Sequence, residues 1–369
     1  RADARRRVRA ETLGKGPVME RAETLAWLQE DREEALRTLW RRADRTRHQK
    51  VGEDVHLRGL IEISNHCIRH CHYCGLNAEH CGLTRYRMSA TEILECAHAA
   101  VRFGYGTVVL QAGEDPAISE EWMAGLIRDI KHETGLAVTL SLGERRQEEL
   151  ATWREAGADR YLLRLETSNA ELFRRIHPGP GAPVDCDRVE LLKVLGGMGY
   201  EVGSGVMIGI PGQSYRDLAN DLERFRELDL DMIGVGPFIP HPLTPLAAEA
   251  PGWHAGMSDQ TPNDERMTYK MIALSRLFCP YANIPSTTAL ATRNLAKGRE
   301  LGLQRGANIL MPNLTPPRYR IHYEIYPAKA CIRESAEQCH GCIRQRIRSI
   351  GRRPGRGPGR APSMSRRNT

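Results

Sequence analysis

No run of about eighteen apolar residues occurs in this 369-residue chain, so no membrane-spanning helix is expected. No short apolar core follows a charged start, so no secretory leader is visible. The chain opens on Arg1 rather than Met, as a processed or trimmed start would. Five arginines in the first ten residues resemble a transit peptide, but Asp3, Glu11 and the lack of serine argue against one. No repeat of about 20–50 residues is visible beyond an alternation of strand and helix patterns. The last 27 residues contain neither acid nor lysine.

That last absence locates the charge. The net charge is +7, and residues 343–369 carry nine arginines; without them the other 342 residues stand at −2. The basic character therefore belongs to a Gly/Pro/Arg tail. Its composition predicts disorder, and a solvated extension is favoured over a nucleic-acid contact.

What is abundant is cysteine. Ten cysteines without a secretion signal point to metal or redox chemistry rather than disulfides. Cys67, Cys71 and Cys74 form a C-x3-C-x2-C run, and Cys331, Cys339 and Cys342 a C-x7-C-x2-C run. Cys96 and Cys279 fall in helical patterns and read as small core residues; Cys81 and Cys186 lie in loop-like sequence.

With 41% hydrophobic residues the chain can bury a large core. Residues 18–50 read as one or two amphipathic helices. Strand patterns then follow at 56–64, 106–113, 136–143, 159–166, 201–209, 231–238, 282–289 and 306–312. Helical patterns separate them, at 90–104, 214–228, 264–279 and 292–303 among others. Ser89 with Glu92 gives the first of these a capping-box start. Repeated βα units require parallel pairing, and eight predict a (β/α)8 TIM-type barrel, with an open doubly wound sheet as the alternative. The expected organisation is a helical segment over 1–50, a barrel over 51–342 that includes a C-terminal cysteine segment at 323–342, and the tail.

In such a barrel chemistry sits at the C-terminal strand ends, which is where the first cysteine loop falls. Thiolates select zinc, Cu(I) or iron–sulfur clusters. A structural zinc with His66, His70 or His72 as fourth ligand is one reading. Zinc ligands usually come as two separated pairs, whereas three cysteines crowd one loop here. A 4Fe-4S cubane with one iron lacking a protein ligand fits better.

C-x3-C-x2-C with Tyr73 before the last cysteine, after the first barrel strand, resembles the radical S-adenosylmethionine (SAM) superfamily. "VVLQAGEDP", "VTLSLGE", "AGADRYLLRLETSN", "GPFIPHPLTPLA", "IPSTTAL" and "GANILMPNLTP" narrow the resemblance to the FeFe-hydrogenase maturase of the HydE type, from about Val51 to Cys342. The resemblance implies a 4Fe-4S cluster and SAM as cofactors, with reductive cleavage of SAM to a 5′-deoxyadenosyl radical. It implies Glu114 at the SAM amino group and Thr139 and Ser141 near the ribose. Arg164 ends strand four with Glu166, and Glu166 and Arg188 hold SAM's polar ends. It places Arg160, Thr287, Thr288 and Gln111 around a substrate anion, with Tyr323 and Tyr326 closing the pocket. A buried arginine needs such a partner, although alternation along the strand leaves Arg160 free to face outward.

The resemblance further implies an auxiliary 2Fe-2S or 4Fe-4S cluster at Cys331, Cys339 and Cys342; a zinc site completed by His340 is the alternative. The implied substrate is small or organometallic, a cysteine-bound iron species with CO and cyanide, used in assembling the hydrogenase H-cluster. Implied partners are other hydrogenase maturases and a low-potential electron donor, in the cytoplasm or organelle matrix of an anaerobic or microaerobic cell. Two features depart from the pattern: Leu165 stands where a polar residue is expected, and Cys81 lies near the cluster loop. The competing readings are a methylornithine synthase or biotin synthase type of radical enzyme, and a zinc protein whose tail contacts nucleic acid.

Overall fold

A computed structural model describes residues 19–179, 187–249 and 259–363. Two helices, α1 (Arg21–Gln29) and α2 (Glu33–Val51), precede the first strand. Seven strands then pair in parallel: β1 (Asp54–Ser64), β2 (Thr107–Ala112), β3 (Ala137–Ser141), β4 (Arg160–Leu162), β5 (Glu201–Ile208), β6 (Met232–Pro237) and β7 (Ile309–Leu310). They lie in the order β6-β5-β4-β3-β2-β1-β7. The segment expected as an eighth strand at 282–289 makes only single parallel bridges, Asn283 to Met232 of β6 and Pro285 to Ile309 of β7. Those two bridges join the sheet's edges and close the barrel. Pro285 has no N–H to offer a ladder, which keeps the segment from becoming a regular strand.

Helices cover the outside of the sheet. The expected capping box at Ser89 starts the helix Ala90–Arg102, whose Ile93, Ala97 and Ala100 are buried. The helical pattern at 292–303 divides into Thr288–Arg293 and Gly298–Leu303. No helix among the described residues is long and apolar enough to cross a membrane.

The C-terminal tail departs from expectation. A helix runs from Ala336 to Ser349, so the anticipated boundary at 342 cuts through it. Cys339, Ile343 and Ile347 form its buried face, an i, i+4 stripe that the arginines between them obscure in the composition. Arg353–Pro354 then pairs with β1, and Ala361 is buried. The Gly/Pro backbone fits beneath the strands' N-terminal ends. A Cβ on Gly106 would come within 2.0 Å of Gly357.

This strap satisfies polar groups on the barrel floor, and Arg160 is one of them. Arg160 begins β4, is fully buried, and donates to Glu201 at 2.8 Å, Thr107 at 3.1 Å and the Pro358 carbonyl at 2.9 Å. The Gly359 carbonyl accepts from Arg58 at 3.2 Å and Asn283 at 2.9 Å. The expected substrate-anion role of Arg160 is therefore corrected: its partner is Glu201, at the opposite end of the barrel from the cysteine loop. Four tail arginines also pair with carboxylates: Arg346 with Glu300 at 2.8 Å, Arg352 with Asp44 and Arg353 with Asp54 each at 2.5 Å, and Arg360 with Asp159 at 3.6 Å. The described tail is a floor, not a free basic arm.

Breaking a buried pair leaves an uncompensated charge, so Arg160→Met is expected to cost about 3–5 kcal/mol in denaturant unfolding. The double variant R160M/E201M recovers most of that loss. Equal losses in the single and double variants would contradict a pairing role.

Candidate active site

Opposite the floor, the strands' C-terminal ends surround a cavity of about 370 Å³. The loop after β1 brings Cys67, Cys71 and Cys74 into its wall, with Arg69 and Tyr73 from the same loop. Backbone bonds pin the loop: Ile68 N–H donates to the Glu114 carbonyl at 3.1 Å and His72 N–H to that of Ile176 at 3.0 Å. Gly113 is needed where the chains meet, because a Cβ there would lie 2.3 Å from the His66 carbonyl and 2.7 Å from the Cys67 Cβ. Burial pushes the Cys67 thiol up, and burial with the neighbouring Cys67 pushes Cys71 to about 12.

The alternative fourth ligands stand elsewhere. His66, His70 and His72 are absent from the cavity wall, and His70 pairs with Glu79 at 3.1 Å. Among the described residues no three or more His, Cys, Asp or Glu converge on a point that would hold a metal ion. Three soft donors in one cavity wall are a set for a larger, polynuclear group, and the donor chemistry fits an iron–sulfur cluster.

Beside the thiols lies a four-charge network. Arg188 donates to Glu144 at 2.7 Å and lies 3.9 Å from Glu114. Arg69 lies 3.8 Å from Glu114 and 3.6 Å from Glu144. The second carboxylate oxygen of Glu114 is buried without a hydrogen-bond partner. Gly143 permits this approach, since a Cβ there would fall 2.0 Å from the Glu114 Cγ. That unmatched Glu114 oxygen has Arg69 3.8 Å away but accepts no hydrogen bond, so it is suited to an incoming ammonium, and the guanidinium of Arg188 to a carboxylate.

Arg164 and Glu166 form a second pair. Arg164 donates to both Glu166 oxygens, at 2.8 and 2.9 Å, and to the Gly234 carbonyl at 3.0 Å. Glu166 holds a left-handed backbone, φ 62°, with its N–H given to the Gly205 carbonyl at 3.0 Å. Such strain persists where the surroundings over-determine it, often at functional sites. Tyr73 donates to His177 Nε2 at 2.9 Å. His177 Nδ1 lies 3.0 Å from the Phe173 carbonyl, so it carries the ring proton and leaves Nε2 as acceptor.

Ser141 lines the cavity, whereas Thr139 lies one pleat deeper, buried, its hydroxyl without a partner. Gln111, Thr287, Thr288 and Tyr326 also line the cavity, Gln111 beside Ser141 of β3 in the strand register. Tyr323 stands behind it, accepting from Gln111 at 3.2 Å. Arg69, Glu144, Glu62, Lys329 and His177 were missed by sequence reasoning. Arg69 carried a usable signal, lying between two cysteines of the motif; the others meet the site only through tertiary pairing.

The second cysteine group lies apart from the cavity. Cys339 and Cys342 are one turn apart on the helix Ala336–Ser349, and Cys331 precedes it with φ 62°. Arg299 donates to the Cys331 sulfur and Arg346 to that of Cys342, each at 3.4 Å. Hydrogen bonding to Cys339, followed by the charge of Arg299, holds the Cys331 thiol below its usual range. His340 packs the other way, stacked on Phe103 and bonded to the Tyr105 hydroxyl at 3.0 Å. Cys186 lies outside the described residues.

A radical SAM superfamily model matches residues 61–235. The FeFe-hydrogenase maturase subunit HydE of Thermotoga maritima is 44% identical over 345 residues, 91% of this chain and 94% of its own length. The 3-methylornithine synthase of Methanosarcina barkeri is 30% identical over 285 residues, 77% of this chain and 76% of its own. Among solved structures, methylornithine synthase PylB superposes with a TM-score of 0.76 and 25% identity, covering 94% of this chain and 97% of its own. The hydrogenase maturase HydG superposes at 0.67 with 18% identity, covering 84% and 68%, a likeness of fold alone.

Burial, and then the like charge of Glu144, hold Glu114 above the usual carboxylate range. A raised folded pKa gives stability that is present at low pH and lost as pH rises through it. Arg188→Met removes an opposing cation and raises Glu114 further. Its melting temperature is expected to fall more steeply than wild type between about pH 5 and 8. Parallel slopes for the two proteins would contradict the coupling.

Proposed function

The chain belongs to the HydE family of FeFe-hydrogenase maturases in the radical SAM superfamily, and from that premise we propose how its residues divide the reaction. One wall of the cavity takes the cofactors. Cys67, Cys71 and Cys74 hold a 4Fe-4S cluster, leaving one iron for SAM. When bound, the cluster supplies the electron that cleaves SAM to methionine and a 5′-deoxyadenosyl radical. The unmatched oxygen of Glu114 accepts the SAM ammonium. Arg188, steadied by Glu144, takes the carboxylate. Glu166 and Ser141 meet the ribose side, with Thr139 beneath, and Tyr73 is aimed by His177. The apolar remainder of the wall excludes water from a reactive radical.

The substrate is taken by Gln111, Thr287, Thr288 and Tyr326, with Tyr323 supporting Gln111. The anion-binding arginine is Arg164, two residues beyond β4, which lines the cavity, and not Arg160. The proposed substrate is sulfur-bearing, a cysteine-bound iron species with CO and cyanide, handled with other maturases and a low-potential electron donor. Cys331, Cys339 and Cys342, flanked by Arg299 and Arg346, are proposed to hold a peripheral auxiliary iron–sulfur cluster. The observation that carries the reading is three thiols sharing one cavity with an ammonium acceptor and a carboxylate donor. The methylornithine alternative has weaker support, since that relative is 30% identical against 44% for HydE.

Anaerobically reconstituted enzyme with a strong reductant is expected to release methionine and 5′-deoxyadenosine in equal amounts. It is also expected to restore hydrogenase activity to a strain lacking its own maturase of this type. Cys71→Ala abolishes both. SAM cleavage without restored hydrogenase would remove the substrate assignment; no cleavage would remove the cofactor assignment.

A further inference from the structure

Glu62 and Lys329 form a buried ion pair in the cavity wall. Glu62 lies near the end of β1 and is fully buried; its second oxygen accepts from Asn313 at 3.0 Å. Lys329 is 5% exposed, contacts Glu62, donates to the Tyr323 carbonyl at 3.2 Å and lies 5.0 Å over the Tyr323 ring. A buried pair is seldom a net gain in stability over apolar packing. Both residues line the cavity, and Glu62 lies beside Gln111 in the strand register.

Donor counting gives the pair a task. An ammonium has three N–H donors. Two of those on Lys329 are satisfied, by Glu62 and by the Tyr323 carbonyl, and the residue faces the cavity. The backbone around it is held in place. Ala328 and Cys331 both have left-handed φ, 55° and 62°, and the Cys331 carbonyl is fixed by Arg320 at 3.0 Å. Ala330 N–H donates to Thr292 at 3.0 Å. Two strained residues bracketing one cavity-facing cation indicate a side chain whose position matters.

The geometry points to Lys329 as a specificity-determining residue that binds a carboxylate of the substrate, with Glu62 and Tyr323 orienting its ammonium. This rests on the sulfur-bearing substrate proposed above, and it defines that substrate's other end: a small thiol or thiolate-bound species that carries a free carboxylate.

The test uses reconstituted, SAM-loaded holoenzyme and two probes, L-cysteine and cysteamine, which differ by the carboxylate. Equilibrium binding is measured by titration calorimetry for wild type, Lys329→Met, and the double variant E62Q/K329M, which leaves no orphaned carboxylate if the single variant fails to fold. Wild type is expected to prefer L-cysteine by about tenfold or more, the size of a hydrogen bond to a charged group. Both variants should lose that preference while cysteamine affinity stays the same. If the preference survives in the variants, the carboxylate is held elsewhere and the assignment to Lys329 alone falls. If wild type binds neither thiol, the sulfur reading falls and this assignment with it.

Discussion

Burial of Cys67, Cys71 and Cys74 in one cavity wall is the constraint to which the surrounding structure answers. A buried thiol resists ionisation, and Cys71 is pushed to about 12 by desolvation and by its neighbour Cys67. Metal binding draws those protons off, so it is coupled to protonation and to folding of the loop. Two cations stand near to favour the ionised form: Arg188 and Arg69 both act to lower Cys71. The arginines would themselves be costly without partners, and Glu114 and Glu144 supply them. The same charges that favour an ionised Cys71 are the ones proposed to receive a zwitterionic ligand.

The barrel keeps two polar clusters apart. Parallel strands direct all their C-terminal ends to one mouth, where the thiols, the charge network and the rest of the cavity lining gather. Their N-terminal ends leave polar groups such as Arg58, Arg160, Thr107 and Asn283 that need partners, and carbonyls of the C-terminal strap provide them. Glu201 neutralises Arg160 within that floor. Arg160 and Arg164 are four residues apart on one segment, yet one braces the floor and the other lines the mouth.

Much of this was legible because it is local. Cysteine spacing, the βα rhythm and the Ser89–Glu92 capping box are written within a few residues, and the structure repeats them. Glu114, Ser141, Glu166, Thr287 and Thr288 fall in the cavity wall as their positions at strand ends suggested, and Arg188 reaches it from the start of a helix. Depth along a strand was less legible. Arg160, Thr139 and Tyr323 were assigned to the pocket; the first two lie deeper because alternation tells which face a strand residue takes and not how far along the barrel it sits, and Tyr323, outside any strand, stands behind Gln111. The tail misled through composition: glycine, proline and arginine read as disorder, but glycine is what fits against Gly106, and backbone carbonyls are what the floor needs. The pairings of Arg69 with Glu144 and of Glu62 with Lys329 span too much sequence for any spacing rule to reveal.

The central claim is that three thiolates leave one iron free for the amino and carboxylate groups of SAM. It is tested most directly by electron–nuclear double resonance on the reduced, reconstituted enzyme, with SAM labelled by 15N at the amino group and 17O at the carboxylate. Hyperfine coupling of both labels to the cluster is predicted, lost in Glu114→Ala for the nitrogen and in Arg188→Met for the oxygen. A reduced-cluster spectrum that is unchanged by SAM and carries neither coupling would contradict it.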